Sequence, residues 1–114
     1  MNETPAPVDL AALPGEGGVV WSVSADGFHT NLVVLAPSGA IAAHRNDAID
    51  VLLVVLAGSG TVTIDAESMA VGPMHAVLVP RGAVRSVEAN ADGLRYLTIH
   101  ERRPPLTIGR TADV

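Results

Sequence analysis

The stretch that decides the fold is Gly39-Ala-Ile-Ala-Ala-His44-Arg-Asn46-Asp-Ala-Ile-Asp50-Val-Leu-Leu-Val-Val-Leu-Ala-Gly58-Ser-Gly60. From Asp50 to Ala57 it is an apolar run of strand length, rich in β-branched residues. Gly58-Ser59-Gly60 closes that run before a second one, Thr61 to Asp65, so the pattern predicts a β-hairpin. Val62 and Ile64 alternate with Thr61, Thr63 and Asp65, as in a strand with one wet face, whereas the first run has no polar face and should be covered on both sides. One cover is the interior of a barrel. In 114 residues with little helical pattern, a second subunit is the simplest other cover, and a homodimer is expected. Upstream, His44 and Asn46 share parity, so on an extended segment both side chains point the same way.

These residues carry a resemblance. The segment resembles the first motif of the cupin superfamily, G-x5-H-x-H-x3,4-E-x6-G, and Gly72 to Ala89 resembles the second, G-x5-P-x-G-x2-H-x3-N. Gly39, His44 and Gly58 keep the first frame, and Val79-Pro80-Arg81-Gly82 keeps the second. The resemblance covers roughly residues 28 to 101 and implies an all-β fold, the double-stranded β-helix or jelly-roll barrel. It also implies a metal site built from two histidines and a glutamate of the first motif and a histidine of the second. Here His44 stands at the first histidine and Asn46 at the second. Either Asp50 or Val51 falls at the glutamate, depending on which end the spacing is counted from, and Arg85 takes the last histidine. Arginine is permanently charged and offers a metal no lone pair. Met74-His75 replaces the Gly-Asp that usually opens the second motif, with Gly72-Pro73 displaced upstream.

Composition bounds the class. A chain of 114 residues without internal repeats is one domain, and with 48% hydrophobic but only 3% aromatic residues its core should be Val, Leu, Ile and Ala. A formal net charge of −5, with seven arginines and no lysine, argues against a nucleic-acid binder. No cysteine means no disulfide and no thiolate chemistry. Neither an export signal nor a run of twenty apolar residues stands out, so no membrane association and a cytoplasmic location are expected. The arginine-only cation usage, with abundant Ala, Val and Gly, points to a bacterial source.

In chain order, residues 1–18 form an arm, with Asp9 able to cap a helical turn and Leu10 and Leu13 able to lie on the barrel. Residues 19–103 form the barrel, and 104–114 a second arm. Val19 to Val23 and Phe28 to Leu35 are strands around an Ala25-Asp26-Gly27 turn. His29 and His75 receive structural or surface roles. Ala66-Glu67-Ser68 turns the chain into a short strand, Met69 to Val71. Ala76 to Val79 ends at Pro80, which suits a strand end. Beyond it Arg85, Val87 and Ala89 share a face opposite Ser86 and Glu88, which turns Arg85 inward. Asn90 to Gly93 reads as a turn, and Leu94 to Glu101 as the last strand, with Tyr96, Thr98 and His100 on one face.

If the cupin frame holds, His44, Asn46, Asp50 and Arg85 converge on the barrel mouth, and Tyr96 or His100 joins them. Three readings stay open. In one, Arg85 takes the place of a cation and, with His44 and Asn46, binds a small carboxylate- or phosphate-bearing metabolite without cofactor. In another, His44, Asp50 and His100 hold a divalent zinc, iron or manganese ion, with Asn46 as a weak fourth ligand. In the third, Asp50 and Arg85 form an internal ion pair and nothing binds. A small enzyme of isomerase, epimerase or oxygenase type would use His44, the one group near the mouth suited to proton exchange near neutral pH. No Ser-His-Asp order, phosphate loop or HExxH pattern is present, so both a binding module and an enzyme remain open.

Overall fold

A computed structural model describes residues 6–102. They form seven strands, all paired antiparallel: β1 Gly18–Ser24, β2 Phe28–Leu35, β3 Ala40–Arg45, β4 Val51–Ile64, β5 Glu67–Val71, β6 Ala76–Val79 and β7 Val84–Glu101. No α-helix lies among the described residues, and none of their elements could cross a membrane as a helix. The expected C-terminal arm, 104–114, lies outside the described residues, as does the start of the N-terminal one.

The long strands β4 and β7 organise the molecule. They pair along their whole length, from Val51 opposite His100 to Ile64 opposite Arg85. The expected hairpin at Gly58-Ser59-Gly60 is therefore not formed: one strand of 14 residues passes straight through it. What the glycines do is let the pair bend. Gly58 is opposite Leu94 and Gly60 opposite Ala89, so a single residue, Ser59, faces the four-residue excursion Asn90 to Gly93. Gly58 has φ 80°, and a Cβ on it would overlap the Gly93 carbonyl oxygen; one on Gly60 would overlap the carbonyl of Glu88. Ser59 fills the bend with polar contacts, donating to Asp92 Oδ1 at 3.0 Å and accepting from Asn90 Nδ2 at 3.0 Å. The actual hairpin comes later, at Asp65-Ala66, where both residues adopt the positive φ of a two-residue turn and Asp65 Oδ1 accepts from the Val84 amide at 2.9 Å.

Folding over at this bend lays two halves of the sheet face to face. One half carries β1, β2, the start of β4, β6 and the end of β7. The other carries β3, the start of β7, the end of β4 and β5. Between them Leu35, Leu53, Val55, Val62, Val87 and Leu94 make an aliphatic core, which is all that a chain so poor in aromatics can supply. This is the expected jelly-roll barrel.

The outer face of β4 is less covered than its apolar sequence led us to expect. Leu52 is 36% exposed and its register partner Leu78 on β6 is 60% exposed. The N-terminal residues cover part of the neighbouring surface: Arg95 donates to the carbonyls of Leu10 at 2.7 Å and Leu13 at 3.2 Å, and Asp9 Oδ1 accepts from the Ala11 amide.

Candidate functional site

A cavity of about 180 Å³ opens between the two halves of the sheet. Its position follows from the bend. Counting outward from it, Tyr96 and Val87 lie two residues from Leu94 and Ala89, and Thr98 and Arg85 lie four. Side chains of one parity on both arms of β7 thus face each other across the gap. The inner row is formed by Val33 and Tyr96 on one wall against Ile41 and Val87 on the other. The outer row sets Asn31 and Thr98 against His44 and Arg85. Ile41 and His44 differ in parity, and they share the cavity because β3 carries a register shift between them, with two residues, Ala42 and Ala43, against the single Ser86 on β7.

Arg85 faces inward as its parity predicts, but it is not paired with Asp50. The Asp50 carboxylate accepts from the Arg81 amide at 2.8 Å and lies 3.6 Å from Arg81 Nε, on the exposed rim. That backbone hydrogen bond, assisted by the Arg81 charge, lowers the Asp50 pKa below the usual value. The internal ion pair is thereby overturned: Asp50 begins the strand from outside, and the inward position next to it belongs to Val51, only 2% exposed. Among the described residues Arg85 has no acidic or hydrogen-bonding partner. Burial pulls its pKa down, against a smaller opposing effect of Tyr96.

Of Tyr96 and His100, Tyr96 is the one that lines the cavity. It is 3% exposed, and its hydroxyl has no hydrogen-bond partner among the described residues. Burial pushes its pKa up to about 12, opposed in part by the Arg85 charge, so it stays a phenol. His44 sits at the exposed mouth. Its Nδ1 donates to the Ala42 carbonyl at 3.1 Å, and because a carbonyl can only accept, Nε2 of the neutral ring keeps its lone pair free.

Two further expected site residues fall outside the cavity lining. β3 ends at Arg45, so Asn46 no longer follows strand parity; its Oδ1 caps the Ala48 amide at 2.9 Å in a turn. His100 lies one row beyond the lining, its ring 5.3 Å from that of His29 and its Nδ1 donating to the Glu101 carbonyl. The alternative metal ligands His44, Asp50 and His100 are consequently not brought together. No group of three His, Cys, Asp or Glu side chains among the described residues is placed to hold a metal ion. The donor set of the cavity does not fit the cation that the family motifs imply, since a guanidinium occupies one of its ligand positions.

Asn31 and Thr98 were missed. Asn31 lies on β2 in a face with His29 and Val33. The signal available was the parity it shares with Val33, an apolar residue that has to be buried. Around it runs a connected set of hydrogen bonds: Ser22 Oγ donates to Asn31 Oδ1 at 2.6 Å, His29 Nε2 donates to the same oxygen at 3.0 Å, and Asn31 Nδ2 donates to Thr98 Oγ1 at 3.3 Å.

No family model matches the chain, and no curated protein matches it. Solved structures do. A cupin protein from Bacteroides fragilis superposes with TM-score 0.71 at 17% identity, covering 94% of this chain and 90% of that one. TT1209 from Thermus thermophilus gives 0.74 at 23% identity, over 86% and 98%. KdgF from Halomonas sp. gives 0.67 at 15% identity, over 75% and 76%. At such identities the likeness speaks for the fold and leaves function to the site. By strand order, bend and superposition, the protein is a small cupin-fold barrel.

Proposed function

We propose that this barrel binds a small acidic metabolite in the cavity between its sheets, with Arg85 in the role that a metal ion plays in metal-binding cupins. The observation that carries this is a half-buried guanidinium with no counter-charge among the described residues, beside a buried phenol with no hydrogen-bond partner there. Burying such groups unpaired costs free energy that a bound anion recovers. Arginine presents a planar fork that matches a carboxylate or phosphate. A cavity of about 180 Å³ is small beside the ~300–1,000 Å³ of drug-sized sites, so the ligand is small. A thermal-shift screen of carboxylated and phosphorylated metabolites tests this. At least one acid should raise the melting temperature of the wild type and leave Arg85→Met unmoved; equal shifts in both would overturn the proposal.

One observation favours a second reading, a small enzyme of isomerase or epimerase type. His44 Nε2 is free to take a proton while Nδ1 is tied to Ala42. Under that reading His44→Ala abolishes turnover of the acid found in the screen but leaves its affinity within a few fold. Absence of turnover in the wild type leaves the binding module.

The proposal includes a second copy of the chain. Leu78, Leu52 and Ile99 form an apolar row across β6, β4 and β7 on the outer face. A cytoplasmic binding subunit of this kind would work as a homodimer closed over that row.

A further inference from the structure

We propose, building on the anion-binding reading above, that the ligand is a short aliphatic monocarboxylate, and that Asn31 grips its carboxylate from the wall opposite Arg85. The direction of each hydrogen bond around Asn31 carries this. Its Oδ1 already accepts twice, from the Ser22 hydroxyl at 2.6 Å and from His29 Nε2 at 3.0 Å. With Oδ1 on that side, Nδ2 is turned toward Thr98 and the cavity. One hydrogen of Nδ2 goes to Thr98 Oγ1, leaving the other without a partner among the described residues, and Thr98 Oγ1, having accepted, keeps its own hydrogen to give. Arg85 across the gap can only donate, and the protonated Tyr96 hydroxyl has a hydrogen to donate as well.

Asn31, Thr98, Arg85 and Tyr96 therefore bring donors to one small space with a single fixed positive charge, and the one acceptor beside them, His44 Nε2, lies at the exposed mouth. A deprotonated carboxylate accepts from both walls at once and matches that charge one for one. An amide or alcohol would bring a donor of its own against donors, and a phosphate dianion would bring a second charge into a cavity whose lining has one arginine. Below the row lie Val33, Ile41 and Val87, with Leu53 beside them, so whatever hangs from the carboxylate is apolar and short. His29 acts here as a positioning residue: it touches Asn31, not the ligand. Its other nitrogen, Nδ1, is 3.1 Å from Ser24 Oγ, which holds the ring in place.

The test is titration of the full chain with 2-methylpropanoate, its isosteric amide 2-methylpropanamide, and inorganic phosphate, followed by NMR. Wild type should bind 2-methylpropanoate at least tenfold more tightly than either other probe. Asn31→Asp, which keeps shape but turns a donor into an acceptor, should weaken 2-methylpropanoate more than tenfold. Ser22→Ala, at an exposed strand position, releases the carboxamide and should weaken it several-fold without unfolding risk. Binding of 2-methylpropanoate that is lost in Arg85→Met but unchanged in Asn31→Asp and Ser22→Ala overturns the role of Asn31 while the anion site stands. Phosphate binding in preference to 2-methylpropanoate, still lost in Arg85→Met, overturns the ligand class alone. No binding of any anion that depends on Arg85 overturns both this inference and the proposal beneath it.

Discussion

The Asp50 carboxylate is engaged by Arg81, through its amide at 2.8 Å and its guanidinium at 3.6 Å, on the rim of the barrel. With Asp50 held there, Arg85 enters the cavity without a counter-charge among the described residues. A charge placed this way is kept at a cost to the empty protein. Replacing it by an apolar side chain of similar length should stabilise the ligand-free barrel. Calorimetry of Arg85→Met without ligand should show a gain of about 0.5–2 kcal/mol, a rise of several degrees in melting temperature. A fall of similar size would mean that Arg85 is paired in solution.

Tyr96 predicts the alkaline limb. Its ordinary pKa of 10.0 is pushed up to about 12 in the folded chain. A raised folded value means that the favourable protonated state contributes fully below pH 10 and is lost as pH rises from about 10 toward 12, where the unfolded chain ionises first. Over that window the wild type should lose up to ~2–3 kcal/mol that Tyr96→Phe does not lose. Parallel denaturant titrations of the two proteins between pH 9 and 11.5 read it, and coincident curves would contradict the burial of the hydroxyl.

The bend rests on Gly58. With φ 80° and the Gly93 carbonyl where a Cβ would go, Gly58→Ala combines left-handed strain with backbone overlap. A loss of about 2–4 kcal/mol is expected from urea unfolding. The loss should come with weaker ligand binding, because the same bend sets the distance between Asn31 and Arg85.

The outer apolar row predicts the assembly. Leu78→Glu places a charge at the β6 end of the row, beside Leu52. Light scattering should find wild type at twice the mass of one chain and the variant at one chain, with ligand affinity retained; a monomeric wild type would remove the second copy from the proposal.

How far the chain could be read in advance depended on which parts obey a simple period. Parity was enough to turn Arg85 inward, since Ser86 and Glu88 on the opposite face prefer water, whereas Tyr96 could be placed only on a face with Thr98 and His100, and its burial follows from its pairing with Val33 and Val55. It failed where strands stop or slip. Asn46 was grouped with His44, but β3 ends between them, and the register shift inside β3 is visible only once β7 is laid beside it. Gly58-Ser59-Gly60 has the composition of a hairpin turn, and nothing local distinguishes a turn from a bend in a strand whose partner bends with it. Asp50 and Val51 are adjacent and could not be separated by counting. Pairing with Val79 and His100 turns Val51 inward and leaves Asp50 to Arg81. Parity with Val33 puts Asn31 on the inner face, but its hydrogen bonds to Ser22 and Thr98 come from two other strands, which no pattern within β2 contains.

The measurement closest to the central claim observes the Arg85 guanidinium itself. In protein labelled with 15N-arginine, the Nε–H signal that disappears in Arg85→Met belongs to Arg85, and it can be followed while 2-methylpropanoate is added. The account predicts a saturable shift of that signal, larger than at any other arginine and slowed in solvent exchange as the carboxylate closes over it. A ligand that binds while the Arg85 signal stays fixed would contradict it.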